Sequence, residues 1–154
     1  MTKEELKSAV NSALGKLGYK RKGWNWYSHE GVNLVAVNLQ KSNYGLNYYV
    51  NLCCSPEGVA VDGGLTPEEH KFPIRIRAEG VFPSLDEEIN KMFDLENDVY
   101  SDEERRNLIS EFLTEHVCPF LKQIEDVPGL KSVIAAGKLK EALINRAAQE
   151  RLGL

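Results

Sequence analysis

Hydrophobic residues repeat along this chain with two periods, and the change between them falls near residue 80. In the first part, Thr2 and Glu5 have capping-box spacing, and Leu6, Val10, Leu14 and Leu17 share one helical stripe with Ala9 and Ala13 beside it, so a helix is predicted that ends at Gly18. Tyr19 to Gly23 reads as a basic turn. The stretch WNWYSHEGVNLVAVNLQ reads as two short strands joined around Glu30 and Gly31, and a third strand runs from about Leu46 to Cys54 after the turn KSNYG. SPEG and DGG then break the chain, and Thr66, Pro67 and Glu69 suit a brief helical turn. In KFPIRIRA the apolar and basic residues alternate over one strand length, and Pro73 near its start suits an edge position or a strand entry.

From Ser84 onward the apolar period lengthens to about 3.6, the period of a helix. Ser84 with Glu87 and Ser101 with Glu104 repeat the capping-box spacing. A long helix carries Leu108, Ile109, Phe112, Leu113, Val117, Phe120, Leu121 and Ile124 on one stripe, with a break or kink expected at Pro119 and a stop at DVPGL. Residues 130 to 152 suit one or two more helices interrupted at Gly137, with Leu139, Leu143 and Ala147 buried. The fold class is therefore α+β. An antiparallel sheet of about four strands is preceded by one helix and followed by several C-terminal helices packed on one face, in a single domain over 1–154 divided into 1–80 and a mostly helical 84–152.

Because strand residues alternate faces, parity alone sorts the side chains into two sets. Val35, Val37, Leu39, Leu46, Tyr48, Val50, Leu52, Ile74 and Ile76, with Phe72 leading in, form the face expected under the helices. The other face collects Leu34, Ala36 and Cys53 together with Asn38, Gln40, Asn47, Tyr49, Asn51, Arg75 and Arg77. An amide offers both a donor and an acceptor, and arginine offers a planar fork, so these polar residues form a platform suited to a polar ligand, a peptide or a nucleotide. A face that is merely solvated explains the same pattern, since antiparallel sheets commonly leave one face wet.

Charge and cysteines narrow the picture. The formal charge of −4 comes from intermixed acids and bases, which argues against a polyanion partner without forbidding a local basic patch. The start MTKEELKSAV lacks the basic and apolar regions of a secretory signal and no apolar run is long enough for a bilayer, so a cytoplasmic protein with no membrane association is expected. Three cysteines without framework spacing suit free thiols, and the adjacent Cys53 and Cys54 point to opposite faces of a strand.

Candidate chemistry is sparse. His70, His116, Cys118 and the Cys53–Cys54 pair show no CxxC, HxxxH or HExxH spacing, so no metal is expected. Nothing resembles GxSxG, the glycines of DGGL lack a phosphate-loop context, and no catalytic residue or cofactor is assigned. The acids of SLDEEINKMFDLENDVYSDEE suit helix starts, and could also face a basic protein. YKRKGWNWY sets Lys20, Arg21 and Lys22 beside Trp24, Trp26 and Tyr27, the cations and stacking rings that single-stranded nucleic acid uses, although strand aromatics more often serve a core.

Four segments in order, LGYKRKGWNWY, VNLQKSNYGLNYYVNL, IRIR and a helical tail with CPFLKQI, resemble the bacterial family known as domain of unknown function 4304. The resemblance spans roughly residues 6 to 125, and Gln40, Lys41 and Ser42 are its most specific part. Tyr19 stands where phenylalanine is common in the family, and Ala78 and Glu79 follow the arginine strand where a further polar motif often stands. The resemblance implies a bacterial origin and a fold, with no activity, cofactor or catalytic residue attached.

The function expected is that of a non-enzymatic binding protein engaging another protein through the sheet's polar face or the acidic helical segment around residues 86 to 104, by analogy of type with the small acidic immunity and antitoxin partners of bacterial conflict systems. Its ligand-binding residues are Asn38, Gln40, Lys41, Ser42, Asn47, Tyr49, Asn51, Arg75 and Arg77. The alternatives are a small-molecule or nucleotide binder, or an enzyme, using the same face, and nucleic-acid binding through Lys20 to Tyr27, the less favoured of the two.

Overall fold

The computed structural model describes residues Met1 to Leu154 and has the α+β order that the two periods predict, with six strands in place of about four. Helix α1 (Lys3–Gly15) begins where Thr2 Oγ1 accepts the Glu5 N–H at 3.1 Å. It buries Leu6, Ala9, Val10, Ala13 and Leu14. Leu17 leaves the predicted stripe because the chain has already turned, the Tyr19 N–H reaching back to the Leu14 carbonyl past Gly18 at φ +90°.

Strands β1 (Lys20–Lys22), β2 (Asn25–Ser28), β3 (Leu34–Lys41), β4 (Tyr48–Ser55), β5 (Ile74–Arg77) and β6 (Leu143–Ile144) lie in that order, each antiparallel to the next. Two of them carry no strand signal in the sequence. The basic segment that reads as a turn is β1, joined to β2 through the turn Gly23–Trp24. Strand β6 is two residues inside a stretch with helical period, and it pairs with Ile74 and Arg75. With β6 beside it β5 is not an edge strand, and Pro73 takes the other place expected of it, the strand entry, just before the first paired residue of β5.

After β5 come α2 (Ala78–Val81), a tight turn at Pro83–Leu85 and α3 (Asp86–Phe93). Ser84 lies within that turn and makes no cap, whereas Ser101 and Glu104 form a complete capping box at the start of α4 (Asp102–Phe112). Helix α4 continues through a wide π-turn (Leu113–Val117) into α5 (Cys118–Gln123). The Cys118 N–H bonds to the Leu113 carbonyl, five residues back, and Pro119 follows in the first turn of α5, where a missing N–H is tolerated. The proline is absorbed by a local change of pitch, and Ile109, Phe112, Leu113, Val117, Phe120, Leu121 and Ile124 all stay buried. DVPGL both ends α5 and starts α6 (Val127–Ala135), with Asp126 accepting the Gly129 N–H.

Gly137 at φ +79° closes α6 as expected, but the buried set beyond it is Leu139, Ala148 and Leu152. Leu143 and Ala147 face outward, because β6 interrupts the helical phase and α7 (Arg146–Leu152) restarts it from an Asn145 cap. One core lies between the helices and the sheet face carrying Val35, Val37, Leu39, Tyr48, Val50, Leu52, Ile74 and Ile76. Leu46 falls before β4 and is exposed, and Phe72 belongs to the opposite face. No helix is long and apolar enough to cross a membrane.

Candidate functional site

The sheet face turned away from the core divides in two. Toward one end, Leu34, Ala36, Cys53, Tyr27 and Phe72 pack together under the chain that leads into β5, and Tyr27 Oη donates to the Pro67 carbonyl at 2.8 Å. Phe72 joins them because the chain turns at Pro73 before the strand alternation begins, which corrects its predicted place on the core face. Toward the other end, the residues are polar.

Asn25, Asn38 and Asn51 stand opposite one another on β2, β3 and β4, and Arg77 on β5 continues the row. Asn51 Nδ2 donates to Asn38 Oδ1 at 2.9 Å and to Gln40 Oε1 at 3.0 Å, and Asn38 Nδ2 donates to Asn25 Oδ1 at 2.7 Å. Each amide thus answers its cross-strand neighbour, which allows Asn51 to be only 5 % exposed. The row ends on Asn51 Oδ1, which accepts no hydrogen bond from the chain and is open to solvent, since Arg105 Nε is the buried side-chain atom left without a partner. Arg77 does not reach across to it. Its guanidinium lies over the Tyr49 ring, 3.6 Å from the centroid, an arrangement in which the ring face attracts the cation.

Beside this row a cleft of about 610 Å³ opens between the sheet and the chain that follows β5. Gln40, Asn51, Arg75 and Arg77 line it, so four of the predicted residues meet there, with Tyr49 held beneath Arg77. Four carboxylates line it as well: Glu69, Glu79, Asp86 and Glu141. Arg75 is tied to Glu69 at 3.3 Å, so this arginine is answered within the chain. Glu79, Asp86 and Glu141 form no ion pair with a basic group. Burial pushes the Glu79 carboxyl up and Asp86 adds to the shift, while its own backbone N–H and the nearby Arg77 oppose it. Gly80 keeps the wall close: a Cβ there would fall 2.9 Å from Ile76 Cγ1 and 3.4 Å from Glu141 Cβ.

Lys41, Ser42 and Asn47 are not part of this constellation. Lys41 shares the parity of Val37 and Leu39 and directs its Nζ to the Ser42 carbonyl at 3.3 Å. Ser42 is buried, its Oγ accepting the Tyr44 N–H at 3.1 Å, and Asn47 makes a separate backbone bridge to Asp94. Both lie in the turn beyond the paired residues, where strand parity no longer fixes direction. Sequence reasoning misses the cleft's acids. Asp86 stands out only as one of many acids at a helix start, and nothing local marks Glu79 or Glu141, which reach the cleft from elements on either side of β5 and β6.

The rings of the basic segment are engaged inside the protein. Trp26 is fully buried and donates from Nε1 to Asn11 Oδ1 at 3.1 Å, and Trp24 stacks on Tyr48 with Lys7 Nζ 4.5 Å from its ring. Lys20, Arg21 and Lys22 remain exposed on β1.

A family model described as Domain of unknown function (DUF4304) matches residues 10–123. The chain belongs to this family. The DUF4304 match takes in the amide row, both arginines and Glu69, Glu79 and Asp86, whereas Glu141 and Leu143 of the cleft rim lie beyond it. No curated protein and no solved structure matches the chain.

Proposed function

We propose that this DUF4304 protein is a non-enzymatic binding protein that engages another protein through the polar half of its open sheet face. The observation that carries the reading is the exposed Arg77 guanidinium, stacked on Tyr49 at the end of a hydrogen-bonded amide row of which Asn51 is buried, Asn25 and Asn38 are half-buried and Gln40 is exposed. Arginine and tyrosine are the side chains that most often dominate protein interfaces, and here the ring holds the guanidinium in place before a partner arrives. A small molecule in the cleft is the second reading. Its volume of about 610 Å³ is ample, yet Ile76 and Leu143 are its hydrophobic lining, and small-molecule pockets are mostly apolar. That balance favours a polar protein surface.

The test is affinity capture from the source organism's lysate with the full chain and with Arg77→Glu and Tyr49→Ala. A specific protein retained by the unaltered chain and lost at least ten-fold with both variants supports the reading. Capture that is absent, or indifferent to both substitutions, ends it.

A further inference from the structure

The turn between β3 and β4 ends in a side chain that nothing in the protein covers. Tyr44 is 96 % exposed, and Leu46 on the same turn is exposed too. A lone apolar residue at a surface is ordinary. Here, however, the backbone that carries Tyr44 is fixed from both sides. The Ser42 N–H bonds to the Asn47 carbonyl at 2.8 Å and closes the turn, and the buried Ser42 Oγ accepts the Tyr44 N–H at 3.1 Å. The loop after α3 clamps the turn from outside. The Leu95 N–H bonds to the Leu46 carbonyl at 3.0 Å, the Leu46 N–H donates to Glu96 Oε1 at 3.1 Å, and Asn47 bridges Asp94. Gly45 makes room for the Glu96 carboxylate, both of whose oxygens would lie 3.3 Å from a Cβ there.

That loop is held in turn by a buried charge. Arg105 is 2 % exposed and ion-paired to no carboxylate; it directs its Nη donors to the carbonyls of Lys91, Met92 and Asn97 and leaves Nε without an acceptor. Burying a guanidinium without a counter-ion lowers stability, and what it secures is the position of the loop beneath Tyr44.

We propose that this tip is a docking surface for a basic partner protein, with Tyr44 entering an apolar pocket of the partner and the exposed Glu96 and Asp98 meeting lysine or arginine at the pocket's rim. Tyrosine is among the side chains that most often anchor interfaces, and a backbone fixed beforehand loses little freedom on binding. The charge of the partner follows from the loop. Residues 94–104 hold Asp94, Glu96, Asp98, Asp102, Glu103 and Glu104 with no lysine or arginine, and of these Asp102 alone is ion-paired, to the N-terminal amine. Such a rim repels phosphate, and a second copy brings the same carboxylates to the contact, whereas a cationic protein surface complements it. Tyr44 and Glu96 belong neither to the amide row nor to the cleft, so this surface stands whether or not the sheet face binds.

The experiment replaces Tyr44 by the photoreactive p-benzoylphenylalanine in the full chain. The chain is irradiated in the source organism, the cross-linked protein is identified and its cross-linked site mapped by mass spectrometry, and the purified pair is then measured by titration calorimetry. The expected result is one partner protein cross-linked within an apolar pocket bordered by lysine or arginine. Tyr44→Ala should raise its Kd at least ten-fold, and Glu96→Gln/Asp98→Asn at least five-fold, with unchanged melting temperatures because Tyr44 is exposed and glutamine still accepts the Leu46 N–H. If the double variant melts lower, Asp98→Asn alone should raise the Kd at least two-fold. No cross-linked protein, cross-linking to a second copy or to nucleic acid, a pocket without basic neighbours, or a Kd indifferent to Tyr44→Ala overturns the inference. Arg77→Glu and Tyr49→Ala test the sheet face by themselves, so either surface can fail without the other.

Discussion

Cys53 and Cys54, adjacent on β4, enter different hydrophobic clusters on the two sides of the sheet. Burial pushes both thiols up, Cys54 to about 12, and for Cys53 the nearby Glu69 adds to the effect while Arg75 opposes it. Cys118 is half-buried and raised to about 11 by burial, partly offset by a bond from the Tyr19 hydroxyl. Since the folded values lie above the ordinary thiol value of 9.0, the folded state holds these protons more tightly than the unfolded chain. Their contribution to stability is whole below pH 9.0 and fades as pH rises through about 11 to 12. Urea midpoints should accordingly be level from about pH 7 to 8.5 and fall above roughly pH 9.5. Alkylation in native buffer should be slow throughout and should reach Cys118 first, and mass spectrometry finding Cys53 or Cys54 modified ahead of it would contradict the burial argument. The opposed directions of the pair are legible from strand alternation alone. Those of Asn33 and Arg105 are not. Asn33 is fully buried, donating to the Ile124 carbonyl at 3.0 Å and accepting the Glu57 N–H at 2.8 Å. Arg105 serves the carbonyls of Lys91, Met92 and Asn97 at the end of α3. Their partners are backbone groups distant in the chain, and a carbonyl leaves no mark in a sequence.

At the level of elements, local spacing decides only when the neighbouring chain permits the geometry it implies. Ser84 and Ser101 both precede a glutamate by three positions, and only Ser101 caps a helix. Pro83 starts a tight turn that takes in Ser84, and α3 begins after it at Asp86. Ser101→Ala is therefore expected to lower stability by about 1 kcal/mol, and Ser84→Ala to change it by less than about 0.5 kcal/mol, in paired urea denaturations followed by circular dichroism. Equal losses would mean that the cap geometry does not govern these helix starts. The same contrast holds for the amide row. Alternation places Asn38, Gln40, Asn51, Arg75 and Arg77 on one face, and their pairing follows from strand register, whereas Lys41 has the parity of the other face and Ser42 and Asn47 lie in the turn, where parity does not apply.

Across the whole molecule, the C-terminal segment returns to complete what the N-terminal half begins. Strand β6 covers the outer edge of β5, Leu139, Ala148 and Leu152 enter the shared core, and Glu141 and Leu143 form part of the cleft rim. A chain ending at Gly137 loses all of these at once. Its melting temperature should fall by about 10 °C or more, given about 2 kcal/mol for each large buried side chain lost, and the uncovered β5 edge should drive self-association. Calorimetry and light scattering report both effects; a truncated monomer with an unchanged melt would show that the return of β6 contributes little. The α+β order, the face on which each mid-strand residue lies and the long stripe of α4 and α5 are written in the linear pattern, because they depend on period and parity. Three features are not: the outer face is half covered by its own loop, Arg75 is answered by Glu69, and acids from α2, α3 and the β6 connection gather around Asn51. They are settled in three dimensions, by where distant segments come to rest against the sheet, and contacts between residues far apart in the chain have no periodic signature.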